Sequence, residues 1–406
     1  MLCKILVVED SRAFRKYLNI QLSQAGFQAV FAESIAQAHE ILAREDDFLC
    51  SVLDYCLPDG PDGEIIDHVL NYGLQAIILT ANYSEHIREK VLSKGVIDYL
   101  LKDSASSVSY LIPLLRRLQE NCRHKALVVE DSKTVRTHLI NLLERQNLQV
   151  IAAENGAQAI ELLQQHTDIS LIITDHDMPE KDGITMTREI RRKFDRNQLA
   201  ILGLSGSSDR SMTARFLKAG ANDFLYKPFN QEEFYCRIHH ILNMKDTADK
   251  LYKMANQDAL TGLWNRRYFF NQHSRGTTAE HNNIAMLDID FFKKVNDNHG
   301  HDGGDAVLVT IAKQLQHHFS DATVARFGGE EFCIQSNIDR TIFVSQLELV
   351  RLKIEQLTMA HNGTEIKITI SIGASFGNKS IDEMLSESDA RLYEAKTNGR
   401  NQVIWQ

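Results

Sequence analysis

Apolar residues fall in short blocks along the first 245 residues, separated by longer stretches in which apolar positions return every three or four residues. The blocks near Lys4–Val8, Gln28–Phe31, Leu49–Asp54, Ala76–Thr80 and Tyr99–Leu101 predict buried strands. Amphipathic stretches such as Ser11–Gln24 and Ser34–Ala43 predict helices between them. Strand–helix alternation at this spacing predicts a parallel, doubly wound sheet.

The pattern then repeats. Val7-Val-Glu-Asp-Ser11 returns as Val128-Val-Glu-Asp-Ser132, and Asp54 has its counterpart in Asp175, in both cases 121 positions on. A period this long is no solenoid unit, so it marks a duplicated domain. The expected boundaries are 1–121 and 124–244.

From about Glu232 to Gln257 the chain lacks glycine and proline. Phe234, Ile238, Ile241, Lys245, Ala248, Tyr252 and Ala255 follow a 4-3 spacing. Two readings stay open: the last helix of the second copy running into a linker at 245–257, or a helical stalk that pairs with a second copy. Beyond it, in 258–406, a strand-like run Ile284–Leu287 ends in Asp288-Ile-Asp290. The runs Ala322–Phe327 and Phe332–Gln335 flank Gly328-Gly-Glu-Glu331, which predicts a hairpin with a Gly-Gly turn. If these strands are neighbours, Asp288, Glu330 and Glu331 converge at one sheet edge. Such hard oxygen ligands suit Mg²⁺ (or Mn²⁺) and a phosphate substrate.

Composition narrows the partners. The 406 residues are 43% hydrophobic and 24% charged, ordinary for a globular protein of two to four domains. A formal charge of −9 argues against nucleic acid as a partner. No apolar run is long enough for membrane insertion, the N-terminus reads as a first strand, and six scattered cysteines fit a reducing compartment, so a cytoplasmic location is expected.

In doubly wound sheets, ligands bind outside the carboxyl ends of the strands. Glu9, Asp10, Asp54, Thr80 and Lys102 fall there in the first copy, and Glu130, Asp131, Asp175, Ser205 and Lys227 in the second. Carboxylates at that edge can bind Mg²⁺, one aspartate can accept a phosphoryl group, and the lysine and hydroxyl can pair with it. The set resembles response-regulator receiver domains. That resemblance implies Asp54 and Asp175 as phosphoacceptors, Cys56 and Asp177 as further metal contacts, and Tyr99 and Phe224 as switching aromatics. It also implies a histidine kinase or phosphotransfer protein as partner. Lys227-Pro228 matches the family, whereas Lys102-Asp103 departs from it, which leaves room for one copy to be an adaptor.

The last third carries an ordered set of motifs: Asp258-Ala-Leu-Thr-Gly-Leu-Trp-Asn-Arg-Arg267, Asp288-Ile-Asp-Phe-Phe-Lys-Lys-Val-Asn-Asp297, Gly300-His-Asp-Gly-Gly-Asp305, Gly328-Gly-Glu-Glu-Phe332, Ser371-Ile-Gly373 and Asp389-Ala-Arg-Leu-Tyr-Glu-Ala-Lys396. Over about 255–406 this set resembles the GGDEF family, the diguanylate cyclases. The implied architecture is α/β throughout: two flavodoxin-like receiver domains, a helical linker, and a GGDEF (nucleotidyl-cyclase-like) domain.

The resemblance implies a phosphorylation-regulated enzyme that condenses two GTP into cyclic di-GMP as a homodimer. It places Mg²⁺ on Asp288, the Ile289 carbonyl, Glu330 and Glu331, with either glutamate free to assist deprotonation. Guanine falls to Asn296 and Asp305, with His301 nearby. Phosphates fall to Lys293, Lys396 and Arg400 and to the open backbone at Gly328 and Gly329, with Lys396 and Arg400 expected one helical turn apart. The alternative is a silent scaffold that senses GTP or cyclic di-GMP. Many relatives carry an Arg-x-x-Asp product site before the turn; here the four residues are Phe319-Ser-Asp-Ala322, so the arginine is replaced by a phenylalanine that could at most stack on a base.

Overall fold

The computed structural model describes residues 3–81, 84–102, 105–206, 211–273 and 282–406; Asp103, the departure from the receiver pattern, lies outside them. The chain divides into two compact units, Met1–Ala248 and Asp249–Gln406.

The first unit holds the duplication. Its first copy runs β1 Cys3–Val8, α1 Arg12–Gln24, β2 Phe27–Ala32, α2 Ile35–Leu42, β3 Phe48–Asp54, α3 Glu64–Asn71, β4 Ala76–Thr80, α4 Glu85–Ser93, β5 Asp98–Leu101 and α5 Ala105–Asn121. The second runs β6 Lys125–Val129, α6 Lys133–Arg145, β7 Gln149–Ala153, α7 Gly156–Gln165, β8 Ile169–Asp175, α8 Gly183–Ile190, β9 Ala200–Ser205, α9 Met212–Ala219, β10 Asp223–Tyr226 and α10 Gln231–Asn256. Both sheets are parallel, in the orders β2-β1-β3-β4-β5 and β7-β6-β8-β9-β10, the flavodoxin-like winding. Strands such as Leu6–Val8 and Leu171–Ile173 are buried on both faces, which is why they read as unbroken apolar runs. The amphipathic helices cover them, and Ser34 and Asn155 cap α2 and α7 by accepting from backbone amides.

The two copies pack on each other within this unit. Arg88 of α4 pairs with Glu232 of α10, and Gln231 donates to the Val96 carbonyl at 2.8 Å. Buried Arg117 of α5 reaches Asn243 Oδ1 at 3.0 Å and Asp246 Oδ2 at 2.6 Å on α10. Burial would raise the Asp246 carboxyl, but hydrogen bonds from His124 and Arg117 outweigh it and bring it down to about 2.

His239 of α10 stacks on Tyr235, and its Nε2 lies 2.9 Å from Gln146 Oε1. Burial first, then the charge of Arg117, pushes its pKa down to about 4. The folded protein therefore holds His239 neutral, while the unfolded chain takes up a proton near pH 6.5. Stability is full above that pH and falls as pH drops from 6.5 towards 4; by pH 5 the loss is about 2 kcal/mol. Asp246 acts only below pH 3.8, outside that window. Urea unfolding of this unit at pH 7 and pH 5, followed by circular dichroism, should show His239→Gln losing about 2 kcal/mol less than the wild type. Equal losses would mean that His239 is charged in the fold.

Helix α10 divides the 4-3 pattern read from the sequence, and its first half follows the reading as the last helix of the second copy. Phe234, Ile238 and Ile241 are buried in the core of the second copy and cannot face a partner helix. Beyond them the exposed apolar residues are Met244, Leu251, Tyr252 and Met254. One helix thus closes a domain with its first half and shows a different face with its second.

The second unit is an α/β sandwich: β11 Trp264–Asn265, α11 Arg266–His273, β12 Asn283–Ile289, α12 Phe292–His318, β13 Thr323–Gly328, β14 Glu331–Ser336, α13 Arg340–Gln356, β15 Met359–His361, β16 Thr364–Ile366, β17 Ile370–Phe376, α14 Ile381–Thr397 and β18 Val403–Ile404. Its mixed six-stranded sheet has the order β11-β13-β14-β12-β17-β18. One face packs against α12 and α13 through Leu287, Phe332, Phe343 and Leu347; the other packs against α11 and α14 through Met286, Cys333, Phe269 and Leu392. β12 lies in the middle, so the residues that leave its end emerge at the centre of the sheet edge.

Candidate active site and phosphoacceptor pockets

Strand β12 ends where β14 begins. Asp288 and Glu331 are register partners in the antiparallel ladder, and Gly328 pairs with Glu331 across the hairpin. The two residues of the turn are therefore Gly329 and Glu330, which shifts the Gly-Gly turn read from the sequence by one position. Gly329 takes φ 50°, a left-handed conformation that glycine adopts without strain. Glu330 is itself a turn residue beside a strand pair that carries two more carboxylates.

Asp288 is 5% exposed, and its Oδ2 lies 2.8 Å from Lys396 Nζ, which projects from the last turn of α14. Burial pushes its pKa up to about 6; Lys396 opposes that rise, and the charges of Glu330 and Glu331 add to it. A carboxylate held this way gains from a cation, and the three acids suit a divalent ion. Among the described residues, however, only the two acidic triads of the first unit bring three ligand oxygens within 4.8 Å of one another. At the β12 edge it is the Lys396 ammonium that sits on Asp288.

Helix α12 is broken at Gly300 (φ 73°, ψ 173°) into two arms. Asn296 lies on the first arm, and a methyl group on Gly304 would stand 2.0 Å from its Oδ1. The missing side chain lets the arms close, with Asn296 beside the residue that precedes Asp305. Lys293, His301 and Asp305 are exposed, with no ion pair among the described residues. Arg400 is not one helical turn from Lys396 on a common helix: α14 ends at Thr397, and Arg400 sits beyond Gly399 in a left-handed turn. Its guanidinium lies over the Phe291 ring at 4.4 Å, with Nε 4.0 Å from Asp290 Oδ1. Ile289, the last residue of β12, pairs with Ile370. Phe319 is 3% exposed and packs edge-on against Phe343 in the core, so it cannot stack on a base.

The sequence reading missed three residues. Asp290 is buried and accepts from Thr369 Oγ1 and Ser371 Oγ at 2.7 Å and from the Asn401 amide at 3.0 Å. It staples the end of β12 to the turn after α14 instead of facing the site. Asp258 and Arg326 meet each other beside the Gly329 turn. A lone arginine in an otherwise apolar run just before the turn was the available signal.

In the first unit, both acidic pockets close on their lysine. Lys102 Nζ lies 2.6 Å from Glu9 Oε2 and 2.5 Å from Asp54 Oδ2; Lys227 Nζ lies 2.6 Å from both Glu130 Oε2 and Asp175 Oδ1. Burial raises Glu9 and Glu130, and the lysines only partly offset it. Burial would lower Lys227, but hydrogen bonds to Asp175 and Glu130 reverse this and raise it. Asp10 and Asp131 stand exposed at the rim. The Cys56 amide donates to Asp54 Oδ1 at 3.2 Å and the Asp177 amide to Asp175 Oδ2 at 2.9 Å. Thr80 and Ser205 are buried at the ends of β4 and β9; Tyr99 is buried in hydrogen-bond contact with Thr80, and Phe224 packs between Phe216 and Tyr226. The Lys227–Pro228 bond is cis. Three oxygens within 4.8 Å and a lysine on the same carboxylates fit a divalent cation with a phosphoryl group.

Comparisons with known proteins follow this division. The response regulator receiver domain matches residues 5–109 and 126–239, and the family described as diguanylate cyclase, GGDEF domain, matches 255–402. The chain belongs to the response regulators that carry receiver domains ahead of a GGDEF diguanylate cyclase domain. Response regulator PleD of Caulobacter vibrioides is 28% identical over 454 aligned positions, covering 100% of this chain and 99% of that protein. Diguanylate cyclase A of Treponema denticola is 38% identical over 167 residues, 38% of this chain and 45% of its own length. A crystal structure of a two-component system response regulator/GGDEF domain protein superposes with a TM-score of 0.56 at 40% identity, covering 60% of this chain and 99% of that one. Among the described residues, no helix is long and apolar enough to cross a membrane.

Proposed function

We propose that this receiver–GGDEF protein condenses two GTP into cyclic di-GMP, releasing two pyrophosphates, under the control of aspartyl phosphorylation. The observation that carries this is the register pair Asp288–Glu331 beside the Gly329–Glu330 turn, with Lys396 on Asp288. Asp288, the Ile289 carbonyl, Glu330 and Glu331 would hold Mg²⁺ or Mn²⁺, which when bound neutralises charge on the reacting phosphates. Asn296 and Asp305, with His301 at the mouth, would read guanine, since an aspartate accepts from N1–H and N2–H while an amide both donates and accepts. Lys293, Lys396, Arg400 and the bare backbone at Gly328 and Gly329 would hold the phosphates.

In the reaction, the 3′ oxygen of each GTP bonds to the α-phosphorus of the other while the bond from that phosphorus to pyrophosphate breaks. The hydroxyl proton passes to a carboxylate of the Glu330–Glu331 pair. Each domain offers one guanine site, so two domains must face each other in a homodimer with approximate twofold symmetry. With Phe319 in the core, the relatives' arginine fork has no counterpart, and turnover is limited by substrate or receiver state. GTP and the phosphodonor, a histidine kinase or phosphotransfer protein, place this activity in the cytoplasm.

Either phosphoacceptor could drive the control. Asp175 and Asp54 both contact their lysine, and the Asp175 copy contributes α10 itself. Purified protein should be incubated with GTP and Mg²⁺, with and without beryllofluoride, and the product identified. We expect cyclic di-GMP, and a several-fold stimulation that Asp175→Asn reduces more than Asp54→Asn. Stimulation that survives in both variants would remove the receivers from the control mechanism.

A further inference from the structure

The guanidinium of Arg326 makes an unusual set of contacts for a strand residue. Its Nε and Nη2 both donate to the Gly329 carbonyl, at 3.1 and 2.8 Å, and its Nη1 donates to Asp258 Oδ1 at 2.9 Å. Gly329 is the residue before Glu330, so the peptide that this fork grips is the one that sets the direction of the Glu330 side chain.

The other end of the contact is equally fixed. Asp258 Oδ1 also accepts from the Thr261 amide at 2.9 Å and the Thr261 hydroxyl at 2.7 Å. Burial alone would raise this carboxyl, but Thr261 and Arg326 outweigh it and hold it low, so it stays ionised against the arginine. Asp258 comes two residues after α10 ends, and Asn265 Nδ2 donates to the Ala255 carbonyl in the last turn of that helix at 2.9 Å. Asn265 is in turn the register partner of Arg326 in the β11–β13 pair. Two links, one ionic and one through the sheet, thus join the end of α10 to Arg326, and one bidentate grip joins Arg326 to the turn.

We propose that Arg326 is a positioning residue for the Glu330 turn, and that Asp258 fixes Arg326 relative to the end of α10. This rests on the reading of Glu330 as a metal ligand. The physical case lies in the competing conformations. A turn with glycine at φ 50° and another glycine before it has little stiffness of its own. Three carboxylates at one edge repel one another, which favours a splayed turn when no cation is bound. A guanidinium aligned on the turn carbonyl supplies a fixed, charge-assisted contact that opposes that splaying, and only a planar fork can make two donations and still reach Asp258. A shift in the last turn of α10 would move Asp258 and Asn265 and so change the aim of Glu330.

The test uses the full chain with Arg326→Met, Arg326→Lys and Asp258→Asn. Steady-state kinetics with GTP are combined with Mn²⁺ binding by electron paramagnetic resonance, with and without a non-reactive GTP analogue. The two acidic triads of the first unit are candidate Mn²⁺ sites as well, so the informative quantity is the nucleotide-dependent increment, defined as the part that Glu330→Gln removes. We expect Arg326→Met to lower kcat and weaken that increment by about 10–100-fold, the usual cost of losing a group that orients metal ligands, with KM for GTP within about threefold. Arg326→Lys should recover little, because an ammonium cannot fork. Asp258→Asn should fall between Arg326→Met and the wild type.

An Arg326→Met protein with wild-type kcat and increment overturns the proposal. So does a parallel loss of GTP affinity, metal increment and unfolding midpoint in Arg326→Met and Asp258→Asn, which would mark a purely structural role. If the wild type makes no cyclic di-GMP, the cyclase reading fails, and the Mn²⁺ increment still decides the role of Arg326.

Discussion

Glu330→Gln is expected to reduce cyclic di-GMP formation by at least about 10²–10³-fold, the scale on which removal of one preorganised charge-stabilising group from a reacting centre is felt. The substitution keeps the side-chain volume and the turn, and it removes one negative charge from a cluster of three. Stability should change little, by about 0.5 kcal/mol or less, because Glu330 sits in a surface turn. GTP binding should persist, because the guanine candidates Asn296 and Asp305 lie on the two arms of α12 and not on the turn that carries Glu330. Glu331→Gln provides the comparison. Glu331 is exposed at the start of β14 and is paired in register with Asp288, so it adjoins the same edge from the strand side. Rates for the two variants, measured with saturating GTP over a range of Mg²⁺, would separate the roles that their adjacency in sequence leaves merged. Turnover above a tenth of the wild-type rate in Glu330→Gln would remove that residue from the metal set.

The strands of the first unit were legible because parallel sheets bury both faces, so that Val7, Val128 and their neighbours form unbroken apolar blocks bounded by acids. Asp288, Glu330 and Glu331 could be assigned to one sheet edge from strand ends alone; the β12–β14 ladder pairs Asp288 with Glu331, and Glu330 is the turn residue next to that pair. Side-chain direction was the illegible part. A 4-3 pattern along α10 looks the same whether its apolar face meets its own domain or another helix, and Phe234 meets its own domain. Lys396 and Arg400 are four apart, but Gly399 ends the helical path between them and turns Arg400 towards Asp290. The sequence Asp288-Ile-Asp290 does not show what the second carboxylate does; the hydroxyls of Thr369 and Ser371, about eighty residues away, show that it is already used.

Gly373→Ala should be the most damaging single methyl in the second unit. Gly373 lies in the middle of β17, paired with Met286 of β12. A Cβ there would stand 2.1 Å from the Ser388 carbonyl oxygen and 2.2 Å from the Leu392 amide nitrogen of α14. Both are backbone atoms, so no rotamer change relieves the overlap and the helix must lift from the sheet. That movement would loosen Leu392 and Met384 in the core and the Ser388 hydroxyl, which bonds to Ser375 Oγ at 2.8 Å. Overpacking of a core typically costs about 1–3 kcal/mol, and a clash between backbones belongs at or beyond the upper end of that range. For a unit of this size the melting point should fall by roughly 10 °C. The consequence reaches the site, because Lys396 leaves the same helix two turns later and meets Asp288. Activity below the melting transition should therefore fall together with stability. The measurement is selective, since Trp264 and Trp405, the two tryptophans of the chain, both lie in the second unit and their fluorescence reports its unfolding alone. A tryptophan-detected midpoint within about 2 °C of the wild type would mean that α14 does not rest on Gly373 as closely as these distances require.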